Sequence, residues 1–255
     1  MKTNLKKMDQ LISRCYNNMI GADPDRSCWW DAFEVLKNII LKIQQEKPSI
    51  VLTVEALEEE IDYQLDIQGW LDDYLDELDM LGEYERLSDS CDALLELLQW
   101  PDYSDSDIRF LKSSALASLG LEMEAAEYCR KWLREEPDNP VAAAAGIYAY
   151  IKAGSLEEAE ALVGQYLPDN MVCTDDNFVI MNAAAAFYEA KGDTAGKQAL
   201  EQAMEKYDDD LEQAFLSDFD DMDEKWDMED EDGLPFFDLQ TGSAAGSLHD
   251  GHSIR

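Results

Sequence analysis

Basic residues are scarce in this chain. Of its 255 residues, 20 are Lys or Arg and 57 are Asp or Glu, a formal net charge of −37. Nucleic acid is bound largely through positive charge on phosphates, so direct nucleic-acid binding is not expected. Anionic membranes are disfavoured for the same reason. His249 and His252 are the only histidines, and they sit as His-Asp-Gly-His in a Gly/Ser/Ala-rich end. A metal site needs further ligands and a rigid surround, so none is expected. The five cysteines (Cys15, Cys28, Cys91, Cys129 and Cys173) are scattered, odd in number and form no C-x-x-C pair. They read as buried thiols in a reducing compartment rather than a disulfide framework or zinc site.

Other absences narrow the field further. No apolar run approaches the length of a membrane span. The lysine-bearing start lacks the continuous apolar stretch of a signal peptide. A cytoplasmic protein is the expectation. There is no phosphate-cradling Gly loop, nucleophile elbow or H-E-x-x-H motif. The acidic stretch from Asp218 places Met222 and Asp223 where an EF-hand loop needs a ligand and a glycine. Paired carboxylates are so common here that they carry no information about acid–base chemistry, which requires two carboxyls in unlike environments. Neither a cofactor nor enzymatic activity is expected. Glycine (13) and proline (7) are sparse, which suits helices joined by short turns.

What the chain does contain is a repeat. Leu116, Gly120, Glu124, Ala125 and Leu133 return as Tyr150, Gly154, Glu158, Ala159 and Leu167, each 34 residues later. Paired amphipathic helices around a Gly turn at such a period are a solenoid signature. Gly120 and Gly154 stand where a first helix must end in a left-handed cap. Ser155 with Glu158 fits a capping box. Asn139-Pro140 reads as an N-cap followed by Pro at the first helical position.

These residues resemble the tetratricopeptide repeat. With Asp107 as position 2, Gly120, Ala125 and Pro137 fall at that family's Gly, Ala and closing Pro. Tyr150, Gly154 and Ala159 match in the second unit, although its Pro168 comes early. A third unit over 178–207 keeps Ala185, Tyr188 and Gly192, with Lys197 at the expected Ala and Ala199 as its substitute. An upstream unit holds Leu71, Gly82 and Leu87. Gly82 lies 38 residues before Gly120, and Gly192 lies 38 after Gly154, so both outer joints carry insertions. Arg109, Ser113 and Ile147 depart from the family's usual residues. The resemblance spans roughly half the chain. It implies an all-α right-handed superhelical solenoid of antiparallel helix pairs, with an acidic C-terminal tail.

The resemblance also implies a concave face lined by the first helix of each unit. Those positions hold Asp107, Phe110, Ser114, Ala117 and Ser118, then Val141, Ala144, Tyr148, Ile151 and Lys152, then Val179, Asn182, Ala186, Glu189 and Ala190. Phe110, Tyr148, Ile151, Lys152, Asn182 and Glu189 are the candidate partner contacts. Tyr148 and Ile151 fit packing beneath a neighbouring helix equally well. The Lys/Asn pattern that clamps a peptide carboxylate in some family members is missing.

Along the chain, apolar spacing predicts helices over 3–20, 28–46, about 53–68 with Gly69 as a breaker, 70–81 and 84–99. Trp29-Trp30 fits a core anchor or a ligand-stacking platform. From Pro48 to Glu85 there are thirteen acidic residues and no Lys or Arg. Such a face suits a solvated helix or a basic partner. Three regions follow: N-terminal helices over 1–67 that pack on or cap the solenoid, repeats over 68–216, and a tail over 217–255. Residues 208–238 hold fifteen acidic residues and one base, Lys225. High charge favours disorder beyond about Ser217. Phe219, Trp226, Phe236 and Phe237 are its candidate contacts.

Two functions fit. One is a non-enzymatic scaffold that binds a protein or peptide on the concave face. The other is an acidic decoy or chaperone that captures a basic protein through the tail, with charge steering and rings making contact. Fold-back of the tail is disfavoured by like charge, since residues 1–207 already hold 18 basic against 41 acidic residues.

Overall fold

The structure, a computed structural model, describes residues 2–167 and 172–229, with side-chain surroundings described through 216. Among the described residues it is all-helical, with eleven helices and no strand. These are α1 (Lys2–Met19), α2 (Ser27–Glu46), α3 (Val54–Glu60), α4 (Ile67–Met80), α5 (Tyr84–Leu97) and α6 (Ser106–Ser118). Then follow α7 (Glu122–Glu135), α8 (Pro140–Lys152), α9 (Leu156–Tyr166), α10 (Phe178–Lys191) and α11 (Thr194–Glu229). The chain divides into two units, Met1–Tyr207 and Asp208–Arg255. No described helix is long and apolar enough to cross a membrane.

The glycine turns repeat atom for atom. Gly82, Gly120, Gly154 and Gly192 take φ of 69°, 75°, 72° and 78°. At each, the glycine N–H donates to the carbonyl three residues back and the next N–H donates to the carbonyl five back, as in Leu121 N to Leu116 O at 3.0 Å and Ser155 N to Tyr150 O at 2.8 Å. This pair of bonds is the Schellman closure, and it satisfies the last carbonyls of α4, α6, α8 and α10. Asp193, which follows the same closure at Gly192, caps α11 by accepting from Gly196 N at 2.9 Å, whereas the capping box expected at Ser155 does not form. Ser155 is held at ψ 59°, outside the extended region an N-cap needs, and its side chain makes no cap bond.

Asn139 meets its expectation. Its Oδ1 accepts from Val141 N at 2.9 Å and Ala142 N at 3.3 Å, with Pro140 at the first turn. It is 1% exposed. Its Nδ2 donates to Ser106 Oγ at 2.9 Å and Glu136 Oε2 at 2.7 Å, so one side chain joins the start of α6, the end of α7 and the start of α8.

Helix α8 sits at the centre of the second half, in contact with α6, α7, α9 and α10. Ala142, Ala143, Ala144, Ala145 and Ala149 are all buried there. A helix surrounded on all sides must be apolar all round, and small residues let its neighbours approach closely. A Cβ on Gly146 would lie 2.9 Å from Leu162 Cδ1 and 3.0 Å from Leu133 Cδ1. Ala125 and Ala159 are fully buried. In the third unit the close approach falls to Gly196, whose Cβ would stand 3.0 Å from the Tyr188 ring, while Ala199 is exposed.

One apolar cluster reaches from Leu5 to Ala115 and so joins α1 to α6. At its heart Trp29, Phe33, Trp70 and Tyr74 stack, with Phe33–Tyr74 centroids at 4.9 Å and Trp70–Tyr74 at 5.3 Å. Trp29 Nε1 donates to Asn18 Oδ1 at 3.2 Å. Arg86 lies 3.9 Å over the Trp30 ring. Trp29 is therefore a core anchor, and the stacking-platform reading falls. The predicted helix over 53–68 is also shorter than expected: α3 ends at Glu60, and Asp62 and Tyr63 turn the chain at φ 56° and 51°. Gly69 does not break a helix. It lies in the first turn of α4, where its N–H donates to the capping Asp66 Oδ1 at 2.8 Å.

Candidate partner-binding groove

α6 packs on α8, and α8 packs on α10. Between α4 and α6 the molecule opens instead. The connection after α5 runs from Leu98 through Trp100 and Pro101 to Asp105, with Asp102 and Tyr103 at φ 52° and 62°. This is the insertion that stretches the Gly82–Gly120 spacing to 38. Non-glycine residues in the left-handed region cost about 1–2 kcal/mol each, so the turn is held by its surroundings. Trp100 anchors it by donating from Nε1 to Leu94 O at 3.1 Å.

Three adjoining cavities follow the face formed by α4, α6 and α8. The first, about 430 Å³, has Leu71, Leu75, Leu94, Trp100 and Ile108 in its apolar wall and Asp72 and Asp107 among its polar residues. The second, about 340 Å³, shares Asp72, Leu75, Asp107 and Ile108 with it and adds Asp76, Phe110 and Leu111. The third, about 500 Å³, lies between α6 and α8 and is lined by Phe110, Ser113, Ser114, Ala117, Ser118, Tyr148, Ala149 and Lys152. Phe110 is the wall common to the second and third. It meets Tyr148 edge to face, with centroids 6.0 Å apart and planes at 83°.

The two ends of this groove differ in charge. At the α6–α8 end, Lys152 is exposed and in no ion pair among the described residues. Desolvation raises the Tyr148 hydroxyl above its ordinary pKa, so it stays a neutral donor or acceptor. Ser113 is spent locally, donating from Oγ to Phe110 O at 2.8 Å. At the α4–α6 end, the Asp72 carboxyl is raised by partial desolvation and by the charges of Asp76, Asp107 and Asp73, against an opposing hydrogen bond from Gln68. No described group of three or more His, Cys, Asp or Glu side chains is placed to hold a metal ion.

All five first-unit positions expected on the concave face line these cavities: Asp107, Phe110, Ser114, Ala117 and Ser118. From the second unit Tyr148 and Lys152 join them. Ile151 lies elsewhere, half-buried against the apolar cluster that holds α8, α9 and α10. Asn182 and Glu189 line none of the three. Asn182 Nδ2 donates to Phe178 O at 3.2 Å, and Glu189 accepts from Lys197 Nζ at 3.0 Å. Phe219 and Trp226 fall within the span of α11, but their side chains lie outside the described residues, as do Phe236 and Phe237 altogether.

The α4 wall, with Leu71, Asp72, Leu75 and Asp76, lies outside the helix positions expected on the concave face. Its sequence signal is the acid-only stretch from Pro48 to Glu85. Compared with known proteins, the chain matches no family model, no curated protein and no solved structure.

Proposed function

We propose that this chain is a non-enzymatic scaffold of tetratricopeptide type, a right-handed solenoid of antiparallel helix pairs that holds a peptide or protein segment along α4, α6 and α8. The observation that carries the reading is the line of three adjoining cavities on one face, walled by apolar and hydroxyl side chains. A groove of this length suits an extended or helical segment better than a small substrate. The closures at Gly82, Gly120, Gly154 and Gly192 recur at intervals of 38, 34 and 38 residues, which supports the repeat reading; Gly21 ends α1 with the same closure outside the repeats. Five buried cysteines, none in a disulfide, suit a reducing cytoplasm.

The full chain, used as bait in native lysate, should retain its partner at moderate salt and lose it in the Phe110→Ala/Tyr148→Ala variant. A partner held equally by that variant would sink the groove assignment. A second reading, acidic capture of a basic protein, is favoured by the fifteen acidic residues of 208–238. It expects binding that vanishes when 217–255 is removed, whatever the state of Phe110 and Tyr148.

A further inference from the structure

The α4–α6 end of the groove combines an apolar wall with carboxylates that nothing neutralises. Asp72 and Asp76 come from α4 and Asp107 from α6, and all three line the same cavity as Leu75 and Ile108. None is in an ion pair among the described residues. The neighbouring cations are committed elsewhere: Lys112 to Asp92, Arg86 to Glu83, and Arg109 to Asp105 and Glu135. The Asp72 carboxyl is raised first by partial desolvation and then by the charges of Asp76, Asp107 and Asp73. Like charges held close on two separate elements are destabilising, and an incoming cation relieves that cost. Lysine and arginine match such a site, because their alkyl stems lie on apolar surface while their charged heads reach carboxylates at the rim. Lys152 stands at the other end of the groove, so a basic occupant places its cations over α4 and α6.

We propose that the α4–α6 lobe takes a cationic amphipathic segment of a basic partner protein, with apolar side chains against the half-buried Trp100, Phe110 and Leu111 and Lys or Arg heads among Asp72, Asp76 and Asp107. This deepens the scaffold reading and rests on it. It names the chemistry of the partner and moves the charged contact from the tail to the groove.

The test uses the full chain and two fluorescein-labelled peptides, one built of Leu and Lys, the other of Leu and Glu, followed by anisotropy. The Leu–Lys peptide binds, weakens steeply with salt, and loses about tenfold or more in affinity in the Asp72→Asn/Asp76→Asn/Asp107→Asn variant. The control Asp208→Asn/Asp209→Asn/Asp210→Asn removes the same charge from the second unit and changes affinity less than about threefold. Thermal melting confirms that the groove variant folds. Asp76→Asn alone, an exposed site, gives a smaller loss of the same sign. Equal loss in the two triple variants would mean attraction to bulk charge and would overturn the proposal. Binding of the Leu–Glu peptide in preference, abolished by Phe110→Ala/Tyr148→Ala, would overturn it while leaving the scaffold reading intact.

Discussion

Replacing Asn139 with alanine removes four hydrogen bonds at one buried point. Two of them cap α8. Losing an N-cap oxygen costs about 1 kcal/mol. The other two hold Ser106, which is also buried, and Glu136. A buried polar group left without its partner costs about 1–3 kcal/mol. The sum is a loss of about 2–4 kcal/mol, or about 5–15 °C in Tm for a unit of this size. Ser155 is the built-in comparison. It occupies the equivalent start of α9, yet makes no cap bond, so Ser155→Ala should stay within about 0.5 kcal/mol of the parent. Asn139→Ser keeps a capping oxygen without the amide donor and should fall between them. Urea denaturation followed by tryptophan fluorescence reads all three. If Asn139→Ala lost less than about 0.5 kcal/mol, or Ser155→Ala lost as much as Asn139→Ala, the account of how α6, α7 and α8 are joined would be wrong.

Two glycines in helices should respond oppositely to alanine. Gly146→Ala forces a methyl against the Leu162 and Leu133 side-chain ends, a crowding cost of about 1–3 kcal/mol less about 0.5–1 kcal/mol of helix gain, and should destabilise by about 0.5–2 kcal/mol. Gly164→Ala meets open space in α9 and should stabilise by about 0.5–1 kcal/mol, both read by urea midpoint. Burial pushes the Cys91 and Cys129 thiols up to about 12. A raised folded pKa means stability that is whole below the ordinary thiol pKa and drains as pH climbs toward 12. The urea midpoint should therefore fall from pH 8 to pH 10.5, by about 1.4 kcal/mol per pH unit per thiol once the unfolded thiol ionises. The five cysteines, all buried, should resist a water-soluble disulfide reagent at pH 8 until denaturant is added; fast labelling of several in native protein would contradict the core described here.

Much of this architecture is written locally. The 34-residue recurrence, the glycine ends and Asn139-Pro140 depend on neighbours a few residues away, so spacing alone reveals them. Helix-face positions along α6 follow from the same periodicity, and Asp107, Phe110, Ser114, Ala117 and Ser118 do share one face. What escaped depends on competition or distance. Ser155 has the right residue type for a cap, yet it stands at ψ 59° and makes no cap bond, while Asp193 after the same closure does cap its helix, so residue type and turn together do not decide it. Gly69 looks like a breaker until Asp66 is seen to cap the helix that contains it. Gly146 is required because Leu133 and Leu162 converge on it from α7 and α9. The extra residues between Gly82 and Gly120 are countable, but only the fold reveals that they accompany a cleft between α4 and α6. The acid-only stretch was visible too, and its meaning changes once Asp107 arrives from another helix to share a cavity with Asp72 and Asp76.

The claim that the α4–α6–α8 face receives the partner is tested most directly by photo-crosslinking in native lysate from single positions of the full chain. Ser114 is exposed and lines the groove, whereas Met123 is 68% exposed on α7 and lines none of the three cavities. A photoreactive phenylalanine at position 114 should give a discrete adduct that is missing from position 123. Adducts from 123 with none from 114 would contradict the account.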